Sequence, residues 1–178
     1  MKKDTKKISR EYIIERPGYL AAKIVYNNLY DNNFDLFFIG NMMGNTLYTV
    51  QLNNNERAIV SFTSNPLLES YVNRGIIKKT LNERFGNSIV SVKMNICTLD
   101  AILKAYDYDD ENTVKTLIIN PNTKDYFIPI RIDIFSSMII DSGYFNEDDV
   151  DFEVDESAVQ KMEYDKEEKK FFFLNELN

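Results

Sequence analysis

The fold of this chain depends on the segment TLIINPNTKDYFIPI, residues Thr116–Ile130. Its first four residues are apolar or β-branched, as in a strand buried inside a sheet. Asn120 precedes a proline and is therefore biased towards an extended backbone, and Pro121 has no N–H with which to continue a ladder. This pattern predicts a strand that ends at Asn120.

The second half of the segment predicts a turn and another strand. Residues 121–125, PNTKD, contain the proline, asparagine and aspartate that turns favour. A strand is predicted from Tyr126 to Ile130, and Pro129 indicates that it lies at an edge of the sheet or ends there. We interpret the whole stretch as a structural turn between two strands, with a binding site as the alternative.

Three short runs upstream are rich in aromatic and β-branched residues: Phe34–Gly40, Thr46–Leu52 and Arg57–Thr63. The turn-forming stretches NMMGN and NNNE separate them. This pattern predicts a three-stranded antiparallel meander. Apolar residues at helical spacing within residues 18–31 predict a helix just before it.

Two helices are predicted after the meander. In SNPLLESYVNRG, Asn65 is expected to cap the helix, Pro66 to occupy its first turn and Gly75 to end it. The next stretch, IIKKTLNERFG, also favours a helix.

A strand and two more helices complete the pattern. Ser88–Asn95 is typical of a strand, and Thr98 is expected to cap the helix TLDAILKAYDYD, with Asp100 near the positive end of its dipole. The closing helix, within RIDIFSSMIIDSG, has an apolar stripe at helical spacing and Gly143 beyond its end.

Together these elements predict an α+β domain over residues 18–141, with a mixed, largely antiparallel sheet and helices packed on it. Parallel pairing is expected between Ser88–Asn95 and Val114–Asn120, because strands linked through a helix can pair in parallel. Residues 1–17 are a basic N-terminal arm. Residues 142–178 form a short C-terminal extension. It consists of an acidic linker and an element that is expected to dock on the domain through KKFFFL. That element is compatible with either a helix or a strand.

Three motifs occur in an order and spacing that resemble a known family. They are AIVSFTSNPLLESYV, the capped helix TLDAILKAY and TLIINPNTKDYFIPI. The pattern resembles the N-terminal domain of the SseB family, bacterial proteins named for enhanced serine sensitivity, over about residues 35–140. The matching positions are Phe62, Thr63, Ser64, Asn120 and Pro121. The resemblance implies a compact domain with a mixed sheet, no established catalytic residues and no cofactor.

The chain after Asp141 departs from that family pattern. It is either a second small subdomain or an extension specific to this chain.

The charge balance restricts the expected partners. The chain carries 28 acidic and 21 basic residues among 178, a net charge of −7. Such a charge repels phosphate backbones, so direct nucleic-acid binding is not expected, whereas a protein partner with a basic surface is. Two acidic stretches supply the candidate partner-binding residues, which are Asp107, Asp109, Asp110, Glu111, Glu147, Asp148, Asp149 and Asp151.

The residue types exclude several kinds of active site. The chain has no histidine and one cysteine, Cys97, which removes histidine-based catalysis, histidine or thiolate zinc sites, iron–sulfur clusters and an intrachain disulfide. Cys97 is interpreted as a small buried apolar residue, with a reactive thiol near a helix start as the alternative.

Phosphate and calcium motifs are also missing from the sequence. It contains neither of the glycine patterns that cradle phosphates. A calcium loop starting at Asp107 would have Asn112 and Ile118 where glycine and a bidentate glutamate are required. We therefore expect no cofactor and no metal.

No run of about 18 apolar residues and no signal-peptide pattern occur, so a cytoplasmic protein without membrane contact is expected. The favoured function is a non-catalytic protein–protein interaction domain, of which an immunity or inhibitor protein is one form. Aromatic residues at the ends of the sheet would supply its anchors. The alternatives are an acidic nucleic-acid mimic or anti-defence protein, and an enzyme or small-molecule binding domain that uses carboxylates. Oligomeric state is left open.

Overall fold

The computed structural model describes residues 25–41, 46–52, 56–85, 89–105, 114–122, 129–150 and 156–174. Its strands are β1 (Asp35–Asn41), β2 (Thr46–Leu47), β3 (Thr49–Gln51), β4 (Arg57–Phe62), β5 (Ile89–Asn95), β6 (Val114–Ile119), β7 (Ile130–Arg131), β8 (Val159–Asp165) and β9 (Lys170–Phe173). Its labelled helices are α1 (Asn65–Val72), α2 (Gly75–Phe85), α3 (Ile96–Ala105) and α4 (Ile132–Asp141). Residues 25–29 are also helical and continue into the 3₁₀ turn Tyr30–Asn32.

The described strands form one sheet in the order β7-β6-β4-β1-β5-β8-β9, with β2 beside β1 and β3 beside β4. Among these strands, β4 pairs with β6 in parallel and the remaining pairings are antiparallel. The predicted α+β class, with a mixed and largely antiparallel sheet, is confirmed. The short strand β7 begins directly after Pro129 and lies at the edge of the sheet, which is one of the two positions that this proline indicated. Residues 126–128 of the predicted strand lie outside the described residues.

The prediction that Ser88–Asn95 and Val114–Asn120 pair in parallel was wrong. β5 pairs with β1 in an antiparallel ladder that runs from Asp35↔Asn95 to Asn41↔Ile89, and its other edge meets β8. With both edges occupied, β5 cannot pair with β6. The parallel partner of β6 is β4, and α1, α2, β5 and α3 separate the two along the chain. Parallel neighbours need such a long crossover connection.

The middle strand of the predicted meander is divided at Tyr48. β2 pairs with β1 and β3 pairs with β4, while β1 and β4 also pair directly at one end. The Tyr48 N–H donates to the Ile39 carbonyl at 2.7 Å, and its buried ring lies 6.3 Å from the Tyr71 ring. Anchoring of Tyr48 in the core therefore breaks the single strand that the alternation predicted.

Helices cover both faces of the sheet. On one face, α3, α4 and residues 25–29 enclose an apolar core that includes Phe38 and Ile59. On the other face, α1, α2, β8 and β9 enclose a second core that includes Ile39 and Val60. Successive strand residues point to opposite faces, so β1 and β4 are buried on both sides.

The start of α1 differs from its prediction by one residue. The Ser64 hydroxyl accepts a hydrogen bond from a first-turn N–H at 3.5 Å, so Ser64 and not Asn65 is the cap. Asn65 instead accepts a hydrogen bond from the Ser91 hydroxyl at 2.7 Å, which ties α1 to β5. The chain turns at Asn73, and Gly75 begins α2 where it was expected to end α1.

The start of α3 also lies earlier than predicted, at Ile96. Asn95 Oδ1 accepts a hydrogen bond from the Thr98 N–H at 2.8 Å and so occupies the capping position expected of Thr98. Asp100 consequently lies beyond the first turn, where its carboxylate pairs with Lys104 Nζ at 2.7 Å.

The closing helix α4 agrees with its prediction. Its apolar stripe is buried and consists of Ile132, Phe135, Met138 and Ile139. Gly143 follows the helix with a φ of +79°, a conformation that glycine adopts without steric cost.

The C-terminal element is a β-hairpin. β8 pairs with β5, and β9 pairs with the second half of β8. Phe171 is 1% exposed and lies in the core beneath α1 and α2, whereas Phe172 and Phe173 are half-buried. The hairpin therefore extends the sheet of the preceding domain and closes one of its cores.

Replacement of Phe171 tests whether the hairpin belongs to the cooperative unit. We expect Phe171→Ala to lower the free energy of unfolding by about 3–5 kcal/mol, the usual cost of removing a buried phenylalanine ring. Phe172→Ala is the matched control, because it removes the same ring from a half-buried position. Denaturant unfolding of the whole chain is the measurement. An unchanged midpoint for Phe171→Ala would show that the hairpin is not part of the unit.

Candidate functional site

The two halves of the family-like motif meet at the carboxyl ends of the parallel strands β4 and β6. The Asn120 N–H donates to the Ser61 carbonyl at 2.9 Å. Asn120 Oδ1 accepts from the Thr63 N–H at 2.9 Å, and Asn120 Nδ2 donates to Thr63 Oγ1 at 3.0 Å. Asn120 is fully buried. Its side chain continues the hydrogen bonding between the two strands beyond the last backbone pair.

The backbone of Asn120 differs from its prediction. Its φ is +53°, in the left-handed region, although a residue before proline is biased towards extended conformations. Asparagine tolerates this region better than most residues do. The hydrogen bonds to Thr63 hold the side chain only if the backbone turns, and they outweigh the local bias.

The remaining motif residues also have structural roles. Phe62 is fully buried, and its ring lies 5.1 Å from that of Tyr71. Ser64 caps α1, and Pro121 is half-buried directly after Asn120. The polar side chains at these motif positions bond to the protein itself, so we assign the positions to fold stabilisation.

The acidic candidates are described only in part. Asp107, Asp109, Asp110, Glu111 and Asp151 lie outside the described residues. Glu147–Asp149 is a 3₁₀ turn in which Asp148 and Asp149 are exposed. Asn146 Nδ2 donates to Asp149 Oδ2 at 3.1 Å, and the Asp149 N–H donates to the Asn146 carbonyl at 3.0 Å. These bonds hold the Asp149 carboxylate in place at the surface.

An aromatic cluster that was not predicted lies just before this turn. Phe34 is its centre, with ring centroids 4.8 Å from Tyr26 and from Tyr144, and 6.5 Å from Phe145. Tyr30 packs edge-on against Tyr144 at 5.2 Å. Tyr30 and Phe145 remain half-buried at the surface. The sequence offered two signals of this cluster, the aromatic residues of YNNLYDNNF and those of GYF. No feature of either stretch predicts that the two contact each other.

The backbone at the centre of the cluster is unusual. Asn33 and Phe34 have φ values of +58° and +59°, and such a conformation is rare for a bulky side chain. The surrounding contacts maintain it. The Tyr144 hydroxyl donates to Asn33 Oδ1 at 2.6 Å, and the Phe34 N–H donates to the Leu29 carbonyl at 3.0 Å.

Carboxylates border these rings. Burial raises the pKa of Tyr144, and the neighbouring Tyr30, Asp35 and Asp31 raise it further. Burial also raises the pKa of Asp35, while Lys93, 4.0 Å away, opposes that shift. We call this region the acid–aromatic surface, which consists of Tyr30, Asp31, Asp35, Tyr144, Phe145, Asp148 and Asp149.

A charged cleft of about 250 Å³ lies between α3, β6 and the start of α4. Its two carboxylates are paired, Asp100 with Lys104 at 2.7 Å and Asp133 with Arg131 at 3.0 Å. Burial opposes ionisation of Asp133, but the hydrogen bonds and charge of Arg131 prevail and lower its pKa. Each of the two carboxylates in the cleft therefore already has a cationic partner.

Cys97 is buried in the first turn of α3, with 2% of its surface exposed. Burial raises the pKa of its thiol to about 11, and the charge of Asp100 adds to that effect. A neutral, inaccessible thiol fits the interpretation as an apolar core residue.

Among the described residues, no group of three or more cysteine and acidic side chains is placed to hold a metal ion. In the same residues, no helix has both the length and the apolar character needed to cross a membrane. A scan against protein-family models found no match, and neither did a search of curated proteins. The SseB resemblance therefore stays a prediction.

Substitution of Asn120 tests the structural role of the motif. We expect Asn120→Ala to cost about 2–4 kcal/mol, because it leaves the Thr63 N–H without its partner and places alanine at a left-handed φ. Asn120→Gly loses the same hydrogen bonds but tolerates that φ, so it should be about 1 kcal/mol less damaging. Chemical denaturation measures both. Equal stability of Asn120→Ala and the wild type would contradict the assignment.

Proposed function

We propose that this chain is a non-catalytic, cytoplasmic protein-interaction domain of the SseB-like type. It binds a protein partner with a basic surface through the acid–aromatic surface, and an immunity or inhibitor protein is one form of this function. The observation that carries the proposal is that two half-buried rings, Tyr30 and Phe145, lie within four residues of exposed carboxylates along the chain.

The rings have the properties of interface anchors. Binding energy concentrates in aromatic side chains that are already held in position. Tyr30 contacts Tyr144 at 5.2 Å and Phe145 contacts Tyr144 at 4.7 Å, both edge-on. These contacts restrict both rings before a partner arrives, so little further side-chain entropy is lost on binding.

The carboxylates have the properties of a rim that attracts a basic partner. Asp31, Asp148 and Asp149 are exposed, and they lie in a chain of net charge −7. Exposed charges around an interface mainly accelerate association and select partners, and salt screens their effect.

The test begins with affinity capture from the native cytoplasm and continues with the purified partner. The rim variant is the triple change Asp31→Asn, Asp148→Asn and Asp149→Asn. We expect it to slow association by about tenfold at low salt, a difference that disappears at high salt. Phe145→Ala should weaken binding by about 1–2 kcal/mol, mainly through faster dissociation.

The matched control removes the same number of charges elsewhere. Glu156, Glu163 and Glu167 are exposed acids of the C-terminal region, and their change to glutamine should leave association unchanged. All variants must first show the thermal midpoint of the wild type. Equal loss of binding in both triple variants would show that only the net charge matters and not its position. That result would contradict the proposal. A captured DNA-binding protein that duplex DNA displaces would instead identify a nucleic-acid mimic.

A further inference from the structure

The β9 strand is the last strand of the sheet, so one of its edges has no neighbouring strand among the described residues. The Leu174 N–H donates to the Lys161 carbonyl at 3.1 Å, which fixes the pattern of the β8–β9 ladder. In an antiparallel ladder, alternate residues direct their N–H and C=O groups inwards and outwards. Leu174 and Phe172 therefore face β8, whereas Phe171 and Phe173 face outwards.

The protein already satisfies one of the two outward positions. Asn73 Oδ1 accepts from the Phe171 N–H at 2.6 Å, and Asn73 Nδ2 donates to the Phe171 carbonyl at 2.8 Å. The side-chain amide of Asn73 thus makes the two bonds that a residue of a neighbouring strand would make. Lys78 Nζ donates to the carbonyl of Lys169, the residue just before β9, at 2.6 Å.

The other outward position, Phe173, opens onto a groove. A cavity of about 410 Å³ lies there, and its described lining consists of Asn65, Pro66, Glu69, Gln160, Phe172 and Phe173. Within the described residues, no side chain bonds to the Phe173 backbone as Asn73 does to that of Phe171. The volume falls in the range of ligand pockets, which is about 300–1,000 Å³.

The lining specifies the chemistry of an occupant. Phe172, Phe173 and Pro66 supply the apolar part of the lining, and Asn65 Nδ2 donates to Gln160 Oε1 at 2.9 Å on its polar part. Glu69 is the ionisable residue of the described lining. An outward N–H and C=O pair together with a carboxylate favours an extended backbone that carries a cationic side chain.

The charges near the groove favour the same occupant. Lys170 of β9 has a pKa that is raised first by its hydrogen bond and ion pair with Glu168, and also by Glu69 and Asp165. Its ammonium lies 2.7 Å from Glu168 Oε2. Lys170 is thus already paired with Glu168, and Glu69 in the groove lining is the carboxylate that an incoming cation would meet.

We propose that the groove between α1 and the edge of β9 binds a short extended segment of a partner protein by strand addition. The segment pairs with the backbone of Phe173, inserts an apolar side chain against Pro66 and Phe173, and places a lysine or arginine near Glu69. Asn73 limits the new strand to this end of β9, because the next outward position is occupied. This docking surface is separate from the acid–aromatic surface.

The test is a selection of displayed random seven-residue peptides on the full-length chain. We expect enriched peptides to contain lysine or arginine next to an apolar residue. Their affinity should fall at least tenfold for Glu69→Lys, because that change reverses the charge of the groove. The matched control is Glu163→Lys, the same reversal at an exposed site on β8, and it should bind like the wild type.

Two further measurements identify the mode of binding. The selected peptide should shift the amide resonance of Phe173 in a titration followed by NMR, and N-methylation of the pairing residue should abolish binding. Failure to enrich any peptide, or enriched peptides that bind Glu69→Lys normally, would overturn the proposal. Binding that survives N-methylation at every position would equally exclude strand addition. Peptides lost with Phe145→Ala but not with Glu69→Lys would belong to the acid–aromatic surface, so the two proposals can fail independently.

Discussion

The hydrogen bonds between Thr63 and Asn120 extend the pairing of β4 and β6 beyond the end of their backbone ladder. The two residues are 57 positions apart, and they follow β4 and β6, the parallel pair. A contact between such distant residues must offset the chain entropy that is lost when they are brought together. A buried, hydrogen-bonded amide offsets more of this cost than an exposed amide does. Everything between them, from α1 to α3, forms the crossover that this contact closes.

The closed crossover also separates two surfaces. Because α3, α4 and residues 25–29 pack on one face of the sheet, the rings of Tyr30 and Phe145 emerge at that side. Because α1 and α2 pack on the other face together with the hairpin, the groove at Phe173 forms there. We propose that each of these two surfaces binds a segment of a partner, one through charge and aromatic anchors and one through a strand edge.

Local patterns predicted what depends on neighbouring residues. The apolar stripe of α4, the strand before Asn120 and the α+β class could all be predicted, because periodicity and turn residues act over a few positions. The caps of α1 and α3 were displaced by one to three residues, since several adjacent polar residues can each cap a helix. Pairing of β5 with β1, the division at Tyr48 and the cluster around Phe34 were not predictable, because each depends on distant contacts.

Hydrogen exchange of the wild-type protein tests directly whether the Asn120 side chain completes the pairing of β4 and β6. The Thr63 amide lies outside β4 and would exchange rapidly if it were an ordinary loop residue. We predict that it exchanges only through global unfolding, with the same opening free energy as the central amides of β4. Exchange of the Thr63 amide at the rate of an exposed loop, while the amides of β4 and β6 remain protected, would contradict this role of Asn120.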